Sequence, residues 1–154
     1  MEAGQLIYAR LRQAPSVGGR LPHVRAGRPE VKIYPVLAPQ PTPRPYLVYQ
    51  LISNVPEGSA RCVLRDVSRV QVSIFADTYA EVCALAQAIR RQLHHYGTTD
   101  AYLELTNQFD HPNPDALCFF RSQDYRVEVD PNAELAPPLT LAPKLDARLS
   151  MRLG

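Results

Sequence analysis

His94 and His95 are sequence neighbours, and adjacent side chains on a helix point about 100° apart, so the two cannot hold one metal ion as an i, i+4 pair does. Asp110 and His111, with Asp115 close behind, have the types needed for a general base and its orienting carboxylate. The plainer reading of Asp110-His111-Pro112 is a turn, and no G-x-S-x-G nucleophile elbow accompanies it. The phosphate cradles G-x-x-x-x-G-K-[ST] and G-x-G-x-x-G are missing, and Gly18-Gly19 precedes no strand-to-helix turn. Cys83 sits near a helix start, where the dipole can lower a thiol pKa, but without a Cys-His signature a packing role is favoured. Arg61, Arg65 and Arg69 share one strand parity and could meet phosphates or carboxylates. A wet sheet face that discourages stray pairing is the simpler account. No residue is assigned a catalytic, cofactor-binding or metal-ligating role.

The elements that would position such groups come from 154 residues, about one domain. With 45% hydrophobic and 21% charged residues the chain is globular, not disordered. Cys62, Cys83 and Cys118 form no C-x-x-C pair and are too few for a disulfide framework, so they read as buried thiols of a reducing cytoplasm. Neither a cleavable signal nor a membrane-length apolar run is visible, so the expectation is a chain that is not secreted by a signal and does not span a membrane. The net charge of +2 is uneven, because residues 1–44 hold seven basic against two acidic side chains. That basic arm could steer an anionic partner such as nucleic acid, although no basic stripe interleaved with aromatics supports it.

Residues 1–14 read as a helix closed by Pro15, and the segment 15–45, with eight of the 15 prolines, as an extended wrap in which only Val31–Tyr34 has strand chemistry. Tyr46–Ile52 is apolar at both parities and predicts a central strand covered on both faces. Asn54–Ser59 reads as a turn or an exposed loop. Arg61–Ala76 alternates, as one bulged strand or as a hairpin turning near Arg65–Ser68. Thr78 and Glu81 form a capping box opening a helix over 78–96, with Val82, Leu85, Ala86, Ile89 and Leu93 as its stripe and Gly97 as its stop. Strands are predicted at Ala101–Thr106, Ala116–Phe120 and Tyr125–Asp130, with a polar loop over Asn107–Asp115. Residues 131–154 read as an extended Pro-rich tail.

Three segments in this order carry a resemblance: Ile33-Tyr34-Pro35-Val36-Leu37-Ala38-Pro39-Gln40, Pro45-Tyr46-Leu47-Val48-Tyr49-Gln50, and Val70-Gln71-Val72-Ser73-Ile74-Phe75-Ala76 running into Thr78-Tyr79-Ala80-Glu81. From about residue 5 to 130 the chain resembles the tail completion, or tail terminator, proteins of phages with long, flexible, non-contractile tails. The tail after Asp130 extends past the family pattern, and the Arg20–Lys32 stretch is longer than usual.

The resemblance implies one small α+β domain over 1–130: an antiparallel or mixed sheet of four to five strands, packed by an N-terminal and a central helix. It implies a virion protein with no cofactor and no enzyme activity, forming a hexameric ring with itself on the head-proximal end of the tail tube. Its partners would be the major tail tube protein and a head-completion protein, with DNA passing through unbound. Such a protein waits in the host cytoplasm before joining the tail-neck junction. A ring needs two complementary patches per subunit. Candidate contacts are Leu135, Leu139, Leu141 and Leu145 of the tail, lying on a neighbouring subunit or neck protein, then Asn54, Glu57, Arg61, Arg65, Arg69, Asp110 and His111. The alternatives are a head-to-tail connector, a small enzyme built on Asp110, His111 and Asp115, and a nucleic-acid-binding module using the basic arm.

Overall fold

The computed structural model describes residues 1–58, 64–112 and 118–135. Helix α1 (Ala3–Gln13) buries Ala3, Leu6, Ile7 and Leu11, and ends where the Ala14 N–H bonds back to the Arg10 carbonyl, one residue before Pro15. A short 3-10 turn (Gly18–Arg20) leads into β1 (Pro22–Arg25) and β2 (Arg28–Val31), a small antiparallel hairpin. Ala26 and Gly27, both at positive φ, make its two-residue turn. The wrap is thus more structured than its prolines suggest. Pro22 and Pro29 are tolerated because this sheet has only two strands and therefore two free edges.

The main sheet has the order β3-β4-β5-β7-β6, with β3 (Ile33–Pro35), β4 (Tyr46–Glu57), β5 (Arg65–Ala76), β6 (Ala101–Asp110) and β7 (Phe119–Val129). Only β3 is parallel to its neighbour, so the sheet is mixed. Together with two α-helices this is the expected small α+β domain. One face carries Leu47, Val70, Val72, Ile74, Leu103, Tyr125 and Val127, all inaccessible to solvent, beneath α1 and helix α2 (Tyr79–Leu93). The stripe Val82, Leu85, Ala86, Ile89 and Leu93 supplies the buried side of α2 as its periodicity predicts.

Several expectations are corrected. β4 does not turn at Asn54 but runs on to Glu57, and it is not covered on both faces: Leu51, Ile52 and Val55 are 53%, 44% and 54% exposed. Arg65–Ala76 is one continuous strand antiparallel to β4, so no hairpin turns at Arg65–Ser68. β6 extends through Asn107–Asp110, where a loop was predicted, because Asn107, Gln108, Phe109 and Asp110 pair with Asp124, Gln123, Ser122 and Arg121. Of the strand predicted at 116–120, residues 116 and 117 lie outside the described residues, and Phe119 and Phe120 run on into the strand predicted at 125–130 as one strand ending at Val129, since the intervening Ser122, Gln123 and Asp124 are buried with their polar atoms bonded. Gln123 Nε2 donates to the Ala86 carbonyl (2.9 Å) and to Gln108 Oε1 (2.7 Å), tying β7 to α2 and β6.

Thr78 accepts the Glu81 N–H at 3.2 Å, as the capping box predicts. Thr78→Ala is expected to cost about 1 kcal/mol, read as a lowered urea midpoint with the slope unchanged. The helix does not stop at Gly97. His94 closes it, bonding its N–H to the Arg90 carbonyl, and His95 takes the left-handed conformation (φ 61°). At Gly97 a Cβ would sit 3.2 Å from the Tyr102 ring, close enough that the ring would have to shift by a few tenths of an ångström to admit it.

Candidate assembly surface

The face of the sheet turned away from the helices is open, and the strand register sorts its side chains into rows. Tyr46, Phe75 and Phe120 are aligned on β4, β5 and β7, and their rings stack with centroids 4.8 and 4.3 Å apart. His111, just past β6, continues the row at 4.0 Å from Phe120 and is followed by Phe109 at 4.7 Å from His111. Val48, Ser73 and Ser122 form the next row, then Gln50, Gln71 and Asp124, then Ser53, Arg69 and Arg126. The face therefore grades from aromatic at one end to charged at the other. Val36 and Leu37, 66% and 77% exposed, overhang the aromatic end and bound a groove of about 200 Å³.

At the charged end, β4 and β5 extend as an arm whose β4 half, from Leu51 to Glu57, is exposed throughout. β3 pairs with β4 only over Leu47–Tyr49, so among the described residues the outer edge of β4 from Gln50 onward has no strand partner. Ile52 lies at a bulge on this edge and Pro56 removes a donor, two features that blunt indiscriminate edge pairing. The opposite edge, β6, is partly covered: the His95 N–H donates to the Leu103 carbonyl, and the Leu103 N–H to that of Tyr96.

The residues singled out from sequence fall in different places. Asn54 and Glu57 are on the exposed arm, and Asn54 Oδ1 accepts from the Ser68 hydroxyl at 3.0 Å. Arg65 and Arg69 share the open face as their parity predicts, but Arg69 is bound to the fully buried carboxylate of Asp124, which also accepts from Gln71 Nε2 at 3.0 Å. Asp110 and His111 do not form a dyad. Asp110 accepts from Arg121 (2.6 Å) and from the Tyr79 hydroxyl (3.2 Å), and the Arg121 hydrogen bond holds its carboxyl below the ordinary carboxylate value. His111 instead places Nε2 2.8 Å from the Ser122 hydroxyl, with its ring stacked on Phe120. Leu135 is 40% exposed. Arg61, Asp115, Leu139, Leu141 and Leu145 lie outside the described residues.

His94 and His95 do have a structural task. His94 Nδ1 accepts the Leu105 N–H at 2.9 Å, which requires that nitrogen to be unprotonated, and His95 stacks against it at 3.7 Å with its own Nδ1 3.0 Å from the Tyr102 hydroxyl. Burial, then the neighbouring His95 and Arg90, lower the His94 pKa from its usual 6.5, against a smaller opposing pull from Glu104. A histidine that protonates more readily unfolded than folded contributes stability above 6.5 that is lost as pH falls below it. The urea midpoint is therefore expected to drop as the pH falls below 6.5, and His94→Gln to remove part of that drop. An equally steep profile in the variant would show that other groups carry it.

The aromatic row and the lip above it were missed by sequence reading. Their signal was present in Phe75 and Phe120, bulky apolar residues on the parity otherwise held by Ser73, Ser122 and Gln71. Among the described residues no trio of His, Cys, Asp or Glu side chains could hold a metal ion, and no helix is long and apolar enough to cross a membrane.

No curated protein matches the chain. A chain in the structure of the virion of the native gene transfer agent (GTA) particle has the same fold, with a TM-score of 0.57 and 18% identity, over 80% of this chain and 91% of that one. Residues 5–130 match the family described as tail completion protein gp17, and with more than half of its length so matched the chain belongs to that family of phage tail structural proteins.

Proposed function

We propose that this protein closes the head-proximal end of a phage tail tube as a hexameric ring, ending tube growth and forming the tail side of the head-tail joint. The observation that carries the reading is the sheet face left without a helix layer, with a row of stacked rings at one end and an apolar-studded arm at the other. Half-buried stacked rings at one end of an uncovered sheet face, with exposed apolar side chains on the arm at the other, are the kind of surface that contacts a partner. In a cyclic assembly that surface meets a different patch of the next copy, since ring interfaces are heterologous.

The tail tube protein on one side and a head-completion protein on the other are the partners of such a ring. DNA crosses it without specific binding, in keeping with a total charge of only +2. The protein functions in the virion and waits in the host cytoplasm until the tube is ready. No catalysis is assigned, because the one acid–histidine pair suspected from sequence is taken up by Arg121, Tyr79 and Ser122. Deleting the gene and measuring tail lengths by electron microscopy tests the reading. Over-long or irregular tails apart from full heads are the expected result. Tails of uniform length that fail to join heads would overturn it in favour of a connector, and intact particles would discard both.

A further inference from the structure

The groove beside the aromatic row has the chemistry of a proline-rich ligand's binding site. Tyr46, Val48, Phe75 and Phe120 line it beside Gln50, Gln71 and Ser73, which can bond the carbonyls of an extended ligand, and Val36 and Leu37 form its exposed lip. Val36 is held at φ 63°, a conformation that a β-branched residue adopts only under strain, by its N–H bond of 2.8 Å to the Tyr49 carbonyl. A strained backbone that keeps apolar side chains in water is a cost the isolated subunit does not recover. Aromatic-lined grooves of this kind accept extended polyproline segments, whose conformation is largely set before binding.

The chain itself carries such a segment: Ala136-Pro137-Pro138-Leu139-Thr140-Leu141-Ala142-Pro143-Lys144-Leu145. It follows directly on Leu135. The chain just before that point is fixed to the helix side of the fold, where the Met1 ammonium donates to the Pro131 and Ala133 carbonyls. At about 3.1 Å per residue, the 19 residues from 136 to 154 span roughly 59 Å, against about 36 Å for the whole of β7. The segment is thus long enough to leave its own subunit. A groove and a matching strap on one chain are the two unlike patches that head-to-tail assembly requires.

We propose that residues 136–145 of one copy dock in the Val36–Phe120 groove of the next, with the prolines on the rings and Leu139 and Leu141 under the Leu37 lip. The direction of assembly rests on the ring reading above. Two full-length variants test it without disturbing the core: Leu37→Asp, at an exposed position, spoils the groove, and Leu139→Asp with Leu141→Asp spoils the strap. Sedimentation over a concentration series is expected to show association of the unaltered chain, weakened about tenfold or more in each variant alone. Mixing the two variants restores one productive strap–groove pair, so a heterodimer is expected. Association of either variant as strong as that of the unaltered chain, an unaltered chain that stays monomeric throughout, or no rescue on mixing would each overturn the proposal. Imaging separates this outcome from the ring reading. Over-long tails after gene deletion, with variants that associate normally, would remove the strap and leave the terminator. Strap-dependent association with normal tails in the deletion would do the reverse.

Discussion

Replacing Gly18 with alanine is expected to cost about 3 kcal/mol or more, the upper range for forcing atoms into a packed interior. A Cβ at this position would lie 2.2 Å from the Arg12 carbonyl oxygen, 2.9 Å from its carbon and 3.1 Å from its Cα. All three are backbone atoms, so no side-chain rotation relieves the clash. The last turn of α1 would have to lift, and with it Leu11, Val17 and Leu21, each wholly buried. Gly19, one residue on, has only the Pro15 Cβ at 4.0 Å and provides the control. Urea titration of the two alanine variants should show a large fall in midpoint for the first and little change for the second. Equal midpoints would mean that the α1 turn yields more easily than its packing implies.

The second large effect is expected at Arg69. Its guanidinium is half exposed but its partner, the Asp124 carboxylate, is fully buried. Arg69→Met leaves that carboxylate with only Gln71 as a side-chain donor and is expected to cost about 3 kcal/mol, the lower end for stranding a buried charge because water still reaches the arginine side. Adding Asp124→Asn removes the stranded charge, so the double variant should be more stable than Arg69→Met alone. A double variant that shows the sum of two independent losses would put the energy in packing rather than in the pair.

The α2 helix was legible from sequence because its signals are local: a cap at Thr78, a stripe at helical spacing, and no competing strand pattern. The strands were legible where one face is uniformly apolar, as in Val70, Val72 and Ile74, or where apolar and aromatic residues run together, as in Tyr46–Ile52. β7 was split in two because Ser122, Gln123 and Asp124 read as a loop until their partners on β5, β6 and α2 are known. The same blindness hid the open face. Arg65 and Arg69 were recognised as outward-facing, yet Asp124, 55 residues from Arg69 along the chain, gave no local sign of being the latter's partner. Asp110 and His111 suggested chemistry through adjacency alone, which strand pairing undoes by sending neighbours to opposite faces.

The two bulges of the main sheet lie at the same height, between Leu51 and Ser53 on β4 and between Leu105 and Asn107 on β6, flanking the row of Val70 and Tyr125. Each supplies one extra residue and so resets which side chains face inward beyond it. Thr106 is the surplus residue on β6, and removing it would join Leu105 directly to Asn107 with both partners on β7 unchanged. Gln108 would stay on the helix side and Phe109 on the open face, whereas losing a residue from a regular stretch of the strand would turn everything beyond it over. A single-residue loss at either bulge is therefore absorbed by a return to regular pairing, whereas in the regular stretches of these strands length changes must come in pairs. The crease acts as a reading frame for the sheet, and drift in sequence length across related chains is constrained by parity before it is constrained by size.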